Sequence, residues 1–163
     1  MVSRAFAVLL MVLASPLAAK DSLGVFGGWG SFRDPLVPRC YAIAAPEPTR
    51  AARDYSPFAS VGTWPKRRVR SQIHFRLSRK LAAAPTITLR LGGQRFNLSG
   101  GGGDAWAAGN AMDAAIVAAM RSARSMTLSA RDTRGRRFSD RYALEGAATA
   151  LDAATVGCAR PRG

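Results

Sequence analysis

One histidine, His74, and two cysteines, Cys40 and Cys158, are all that 163 residues offer as soft metal ligands. A zinc site needs four ligands at characteristic spacings. No CxxC or HxxxH spacing occurs, so neither a metal centre nor another cofactor is expected. Ser–His catalysis needs a nucleophile beside a positioned base, and no GxSxG elbow is present to supply it. Acidic residues are scarce as well, 10 against 24 basic ones. Many stand beside an arginine, as in Arg33-Asp34, Arg53-Asp54, Arg131-Asp132 and Asp140-Arg141. Such neighbours read as solvated charge pairs. Nothing in their spacing marks the raised-pKa acid that a glycosidase needs. Long apolar runs are missing too. The longest, Ala5–Ala14, is well short of the ~20 residues that a membrane-spanning helix requires.

That run has its own meaning. Met1–Arg4 is a short basic start, "AFAVLLMVLA" the apolar centre, and "SPLAA" a small-residue end. This is the layout of a secretory signal peptide cleaved after Ala19; the alternative is an N-terminal anchor. Residues 20–163 then form a single domain, large enough for its own core. In an oxidising compartment an even pair of cysteines reads as one disulfide, Cys40–Cys158. Two unpaired thiols are the alternative. The formal net charge is +14, with three lysines against twenty-one arginines. Part of that bias fits a GC-rich codon background, because alanine is abundant too. The charge itself favours anionic partners.

Alternation of apolar and polar residues predicts strands. "GVFGGWGSFRD" suits a bent or bulged strand, and Arg39–Ala44 a short one. Residues 45–57 form a surface loop. In Val69–Arg79, Val69, Ile73, Phe75 and Leu77 share one face, while Arg70, Gln72, His74, Arg76 and Ser78 share a solvated one. Thr86–Leu91 and Gln94–Leu98 form a hairpin across Gly92-Gly93. "SGGGGDAWAAG" reads as a mobile loop; Gly100–Gly103 lacks the Lys-Ser/Thr of a phosphate loop. A helix starts near Asn110 as its cap, with Asp113 facing its positive end and Arg121 and Arg124 at its C-terminus. Between Ala118 and Leu144 lie seven arginines, which first suggest a polyanion surface. Met126, Leu128, Ala130, Phe138, Tyr142 and Leu144 alternate through this stretch as the inner face of a hairpin turning at Asp132–Gly135. Arg131, Arg137 and Arg141 form its outer row, and Asp140 can pair with Arg136. A last helix, "GAATALDAATVG", stops at Gly157 as a C-terminal cap.

"KRRVR" (Lys66–Arg70) is the other basic cluster. Export argues against nucleic acid. The cluster reads either as a contact for anionic lipid, lipopolysaccharide or an acidic protein face, or as a charged strand entrance that blunts an edge. Trp29, Trp64 and Trp106 read as core or rim packing before binding aromatics. The predicted class is mainly β: an antiparallel β-sandwich with two short helices. A single sheet with helices on one face is the runner-up.

These blocks together resemble the invasion-associated locus B family of alphaproteobacterial exported proteins. The resemblance runs over "GGWGSF", "RCYAIA", "LRLGGQRFNL" and residues 113–154, and rests on the order of elements. Cys40 matches that family's early strand cysteine, with Cys158 its partner. Two features depart from it: such proteins often carry more cysteines, and residues 49–72 look particular to this chain. The resemblance implies an immunoglobulin-like β-sandwich in the periplasm or at the outer envelope, with no catalytic residues to carry over. The expected function is non-enzymatic: a protein-interaction module of the envelope. The alternative is an electrostatic binder of anionic envelope surface through Arg67, Arg68, Arg70, Arg131, Arg137 and Arg141. An envelope hydrolase is the weaker third reading. No nucleic acid and no transmembrane span after cleavage are expected.

Overall fold

The computed structural model describes residues 20–159; the predicted signal peptide, 1–19, and residues 160–163 lie outside them. Ten strands follow the chain: β1 Asp21–Phe26, β2 Trp29–Asp34, β3 Arg39–Ala44, β4 Phe58–Trp64, β5 Val69–Arg76, β6 Ile87–Leu91, β7 Gln94–Gly101, β8 Asp104–Trp106, β9 Ser125–Arg131 and β10 Arg137–Ala143. All neighbours pair antiparallel, in the order β1-β2-β3-β4-β5-β8-β7-β6-β9-β10. Two helices, α1 Asn110–Met120 and α2 Ala147–Ala159, complete a mainly β protein.

β7 is the corner. Gln94–Leu98 pairs with β6, and Ser99–Gly101 pairs with β8. The path thereby divides into a first ladder, β1 to β5 with β8, and a second, β7-β6-β9-β10. Strict alternation sends Ala42, Ala44, Ala59, Val61, Ile73 and Phe75 inward from the first. Leu89, Met126, Leu128 and Tyr142 go inward from the second, and all ten join one core. The Phe75 and Tyr142 rings meet across it, 6.1 Å apart, and the Trp29 indole donates to the Ala143 carbonyl at 2.9 Å.

"GVFGGWGSFRD" is a hairpin, β1–β2, not a single bent strand; Gly24 marks its bulge. Three Gly-x-aromatic triplets recur in the first ladder. Residues i and i+2 share a face of a strand, and each ring folds back over its glycine. A Cβ on Gly24, Gly30 or Gly62 would stand 2.7, 2.7 or 2.6 Å from the Phe26, Phe32 or Trp64 ring. The rings thus shield backbone that glycine leaves bare.

α2 lies on β1, β2 and β3. Its buried row, Ala147, Ala150, Leu151 and Ala154, has helical spacing. The helix does not stop at Gly157. It continues to Ala159, and glycine stands at 157 because the position is buried against Leu23, where a side chain would collide. Cys158 therefore sits inside the helix and bonds Cys40 on β3, with Cα atoms 5.6 Å apart across 118 residues.

Other expectations also change. "SGGGGDAWAAG" is no mobile loop: β7 and β8 form a tight hairpin through Gly102-Gly103. Gly109, not Asn110, is the N-cap of α1, and no side chain caps it. Asp113 turns away from its own helix end; it is buried and accepts the Ile73 amide of β5 at 2.8 Å. Ser78 is buried rather than solvated, and its amide donates to Asp140 at 2.9 Å. Asp140 is thus spoken for, and Arg136 pairs with Asp132 instead. β8 pairs with β5 only over His74–Arg76, so at Arg70 the side of β5 away from β4 carries no strand among the described residues, as an edge-guarding "KRRVR" requires.

Arg33-Asp34 and Asp140-Arg141 separate for one reason, while Arg53 and Asp54 both stay exposed in the loop before β4. On a strand, neighbours point to opposite faces. Asp34 and Asp140 turn inward and are buried, while Arg141 stays exposed. Asp132, just past β9, is buried as well.

Candidate functional site

The six arginines expected to bind an anionic surface fall into two groups on different ladders. Arg131, Arg137 and Arg141 lie on the outer face of the second ladder. The register extends that row to residues that sequence reasoning missed. Arg141 stands opposite Thr127, Thr127 opposite Arg90, and Arg90 opposite Arg95. Below it runs a row of Ser139, Ser129, Thr88 and Asn97. The two serine hydroxyls share a hydrogen bond of 2.8 Å. At the far end Arg131 faces Arg137. All five arginines are exposed.

Two of these pairings, Arg90–Arg95 and Arg131–Arg137, set like charges directly opposite, which destabilises a sheet. The four strands carry a single acidic residue, Asp140, and it points into the core. Among the described residues, the one carboxylate paired with an arginine of this face is Glu47, from the loop before β4, 3.3 Å from Arg141. Arg131 also donates to the Gly135 carbonyl at 2.6 Å.

Arg67, Arg68 and Arg70 lie at the β4–β5 turn. Arg67 ends a single 3-10 turn, Pro65–Arg67, and Arg68 follows in the left-handed region at φ 56°. Arg68 and Arg70 line two adjoining cavities of about 530 and 540 Å³. No carboxylate lies within ion-pair distance of these three among the described residues.

A third cluster was invisible in the sequence because its strand, β8, read as loop. His74 does not lie free on a solvated face. Its ring stacks on Trp106 at 5.0 Å, meets the edge of Phe58 at 5.3 Å, and pairs with Asp104 at 3.0 Å. Asp104 also binds Arg76, whose guanidinium covers the Tyr55 ring at 3.8 Å. The period-two pattern of "DAW" beside "HFR" was the available signal. Trp29 is fully buried, Trp64 half-buried, and Trp106 is 38% exposed.

Two buried acids outside these clusters, Asp132 and Asp113, hold backbone amides. Burial pushes the Asp132 carboxyl up, but the amides of Arg136 and Arg134 and the guanidinium groups of Arg79 and Arg136 outweigh it and hold it at about 2. Burial pushes Asp113 up, against the Ile73 amide. Among the described residues, no three His, Cys, Asp or Glu side chains are grouped to hold a metal ion. No helix there is long and apolar enough to cross a membrane. No protein-family model, curated protein or solved structure matches this chain.

Proposed function

We propose that the protein is an exported, non-enzymatic envelope module that docks on anionic lipid surface through the outer face of β7-β6-β9-β10. We take the fold to be an immunoglobulin-like sandwich of the invasion-associated locus B kind, acting in the periplasm or at the outer envelope. The observation that carries the docking reading is the two cross-strand Arg–Arg pairings on a face whose strands present no carboxylate. A sheet left free would relieve that repulsion with glutamates; an anionic surface relieves it on contact. The serine, threonine and asparagine rows between the arginines add hydrogen-bond donors for phosphate oxygens. Protein interaction through another face has no such specific feature behind it.

Sedimentation with vesicles tests this. Binding to mixed phosphatidylglycerol–phosphatidylcholine vesicles is expected at low salt and not to pure phosphatidylcholine. It should fall steeply as salt rises, since the Debye length is then shorter. Each arginine near such a surface contributes about 1 kcal/mol. Replacing Arg90, Arg95, Arg131 and Arg137 by glutamine should therefore weaken binding at least a hundredfold. Salt-insensitive binding, or an unchanged variant, sinks the proposal.

A further inference from the structure

The two cavities beside "KRRVR" share Arg68, Arg70 and Ser71 and are otherwise lined by different elements. One is closed by Thr63, Pro65 and the end of α2, from Thr155 to Ala159. The other runs along α1 past Ala114, Val117 and Ala118 to Arg121. Together they form a cleft between the β4–β5 turn and the two helices. None of its residues belongs to the arginine face of the second ladder.

The rim of this cleft is built against backbone preference. Arg68 and Ser71 both occupy the left-handed region, at φ 56° and 52°. That conformation is costly for a residue with a side chain and persists only where the surroundings enforce it. Three hydrogen bonds enforce it here. The Arg68 amide donates to the Pro65 carbonyl at 3.2 Å, the Ser71 amide to Thr63 Oγ1 at 3.1 Å, and the Ile73 amide to the buried Asp113 at 2.8 Å. The β4–β5 register also slips between Gly62 and Trp64, a bulge. Bulges re-aim side chains. Counted back from inward-facing Ile73, simple alternation would turn Arg70 away from the helices; instead Arg70 and Ser71 both line the cleft.

The walls are chemically split. Ala114, Val117 and Ala118 share one side of α1 and end at Arg121, one further turn along. Ala114 and Ala118 are exposed, on a helix face where polar residues are usual. The opposite rim is Arg68 and Arg70, neither within ion-pair distance of a carboxylate among the described residues. Arg121 is held by Asp152 at 2.7 Å, a pair exposed enough to contribute little. Arg68 and Arg70 thus stand beside an apolar wall in two solvent-open grooves, each of small-molecule volume, with the Arg121–Asp152 pair at the far end.

We infer that this cleft binds an anionic amphiphile, its phosphate or carboxylate head between Arg68, Arg70 and Arg121 and its apolar chain along Ala114, Val117 and Ala118. Calorimetric titration with dodecyl phosphate and with laurate, each below its micelle concentration, tests it. Both are expected to bind one to one. Neutral dodecyl maltoside and inorganic phosphate are the controls, each lacking one half of the ligand, and should bind at least tenfold more weakly. Arg68→Gln/Arg70→Gln should weaken dodecyl phosphate tenfold or more, and Ala118→Trp, which fills the cleft from an exposed position, should do the same with the charges intact. The two parent ligands separate a phosphate preference from a carboxylate one. A free membrane-surface effect is separated by the ladder variant lacking Arg90, Arg95, Arg131 and Arg137, which should bind dodecyl phosphate as the parent does. Equal binding of inorganic phosphate, no effect of Ala118→Trp, or loss of dodecyl phosphate binding in the ladder variant each overturns the inference. Vesicle docking by Arg68→Gln/Arg70→Gln is read separately and reports only on the ladder face.

Discussion

Asp132 shows how a single side chain can organise a turn. It is buried, and it accepts the Arg134 and Arg136 amides at 2.9 and 3.0 Å and the Arg79 guanidinium at 3.2 Å. Arg79 reaches it from the far end of the β5 segment, so one carboxylate closes the β9–β10 turn and ties it to a second segment. Its folded pKa, about 2, lies below the unfolded value of ~3.9. A depressed carboxylate contributes stability that is present above the unfolded value and is lost as pH falls through the folded one. The contribution should therefore disappear between about pH 4 and pH 2. Thermal midpoints across that range measure it. Asp132→Ala is expected to melt lower than the parent at pH 7 and to show a shallower fall below pH 4. A parallel acid limb in the variant would place the acid sensitivity elsewhere.

Elements meet through a few such bonds, and α1 is the clearest case. It packs on β5 and β6 with Ile116, Ala119 and Met120 buried, and Asp113 fixes its register by accepting the Ile73 amide. Asp113→Ala leaves that buried amide unsatisfied, a loss of about 1–3 kcal/mol. Asp113→Asn keeps an acceptor and removes the charge. Because burial raises the Asp113 pKa, the folded state favours the neutral form, and holding it ionised at pH 7 costs stability. Denaturant midpoints should accordingly place Asn at or above the parent and Ala well below both. Equal losses in Ala and Asn would mean that the bond to Ile73 is not what matters. The contrast also shows what the sequence makes legible. The β9–β10 hairpin was readable because Met126, Leu128 and Tyr142 alternate over long strands. The role of Asp113 was not, since a carboxylate in a first turn looks like a dipole partner whichever way it points. β8 is hard to read because its alternation spans only three residues, Asp104–Trp106, beside a run of glycines. The arginine face was half legible: Arg131, Arg137 and Arg141 follow from strand parity, whereas Arg90 and Arg95 join them only through the β6–β9 register, a long-range pairing without local signature.

The whole molecule is closed by one covalent link. Cys40 in β3 and Cys158 in α2 enclose 118 residues of separation, most of the domain. In the chain-entropy account a loop of that length is worth on the order of 4–5 kcal/mol through the denatured state. A domain of this size shifts its thermal midpoint by about 2–4 °C per kcal/mol. Cys40→Ala/Cys158→Ala is therefore expected to melt on the order of 10–20 °C below the parent in scanning calorimetry. The link also has a local consequence, because it pins the end of α2, which forms one wall of the cleft beside Arg68 and Arg70. The second ladder has no covalent tie to α2. Below its melting temperature, the double variant should thus keep its vesicle docking and lose affinity for dodecyl phosphate. If both fall together, the bond serves the stability of the entire domain and nothing narrower. If neither the midpoint nor the dodecyl phosphate affinity moves, the packing of Ala147, Ala150, Leu151 and Ala154 holds α2 in place without it.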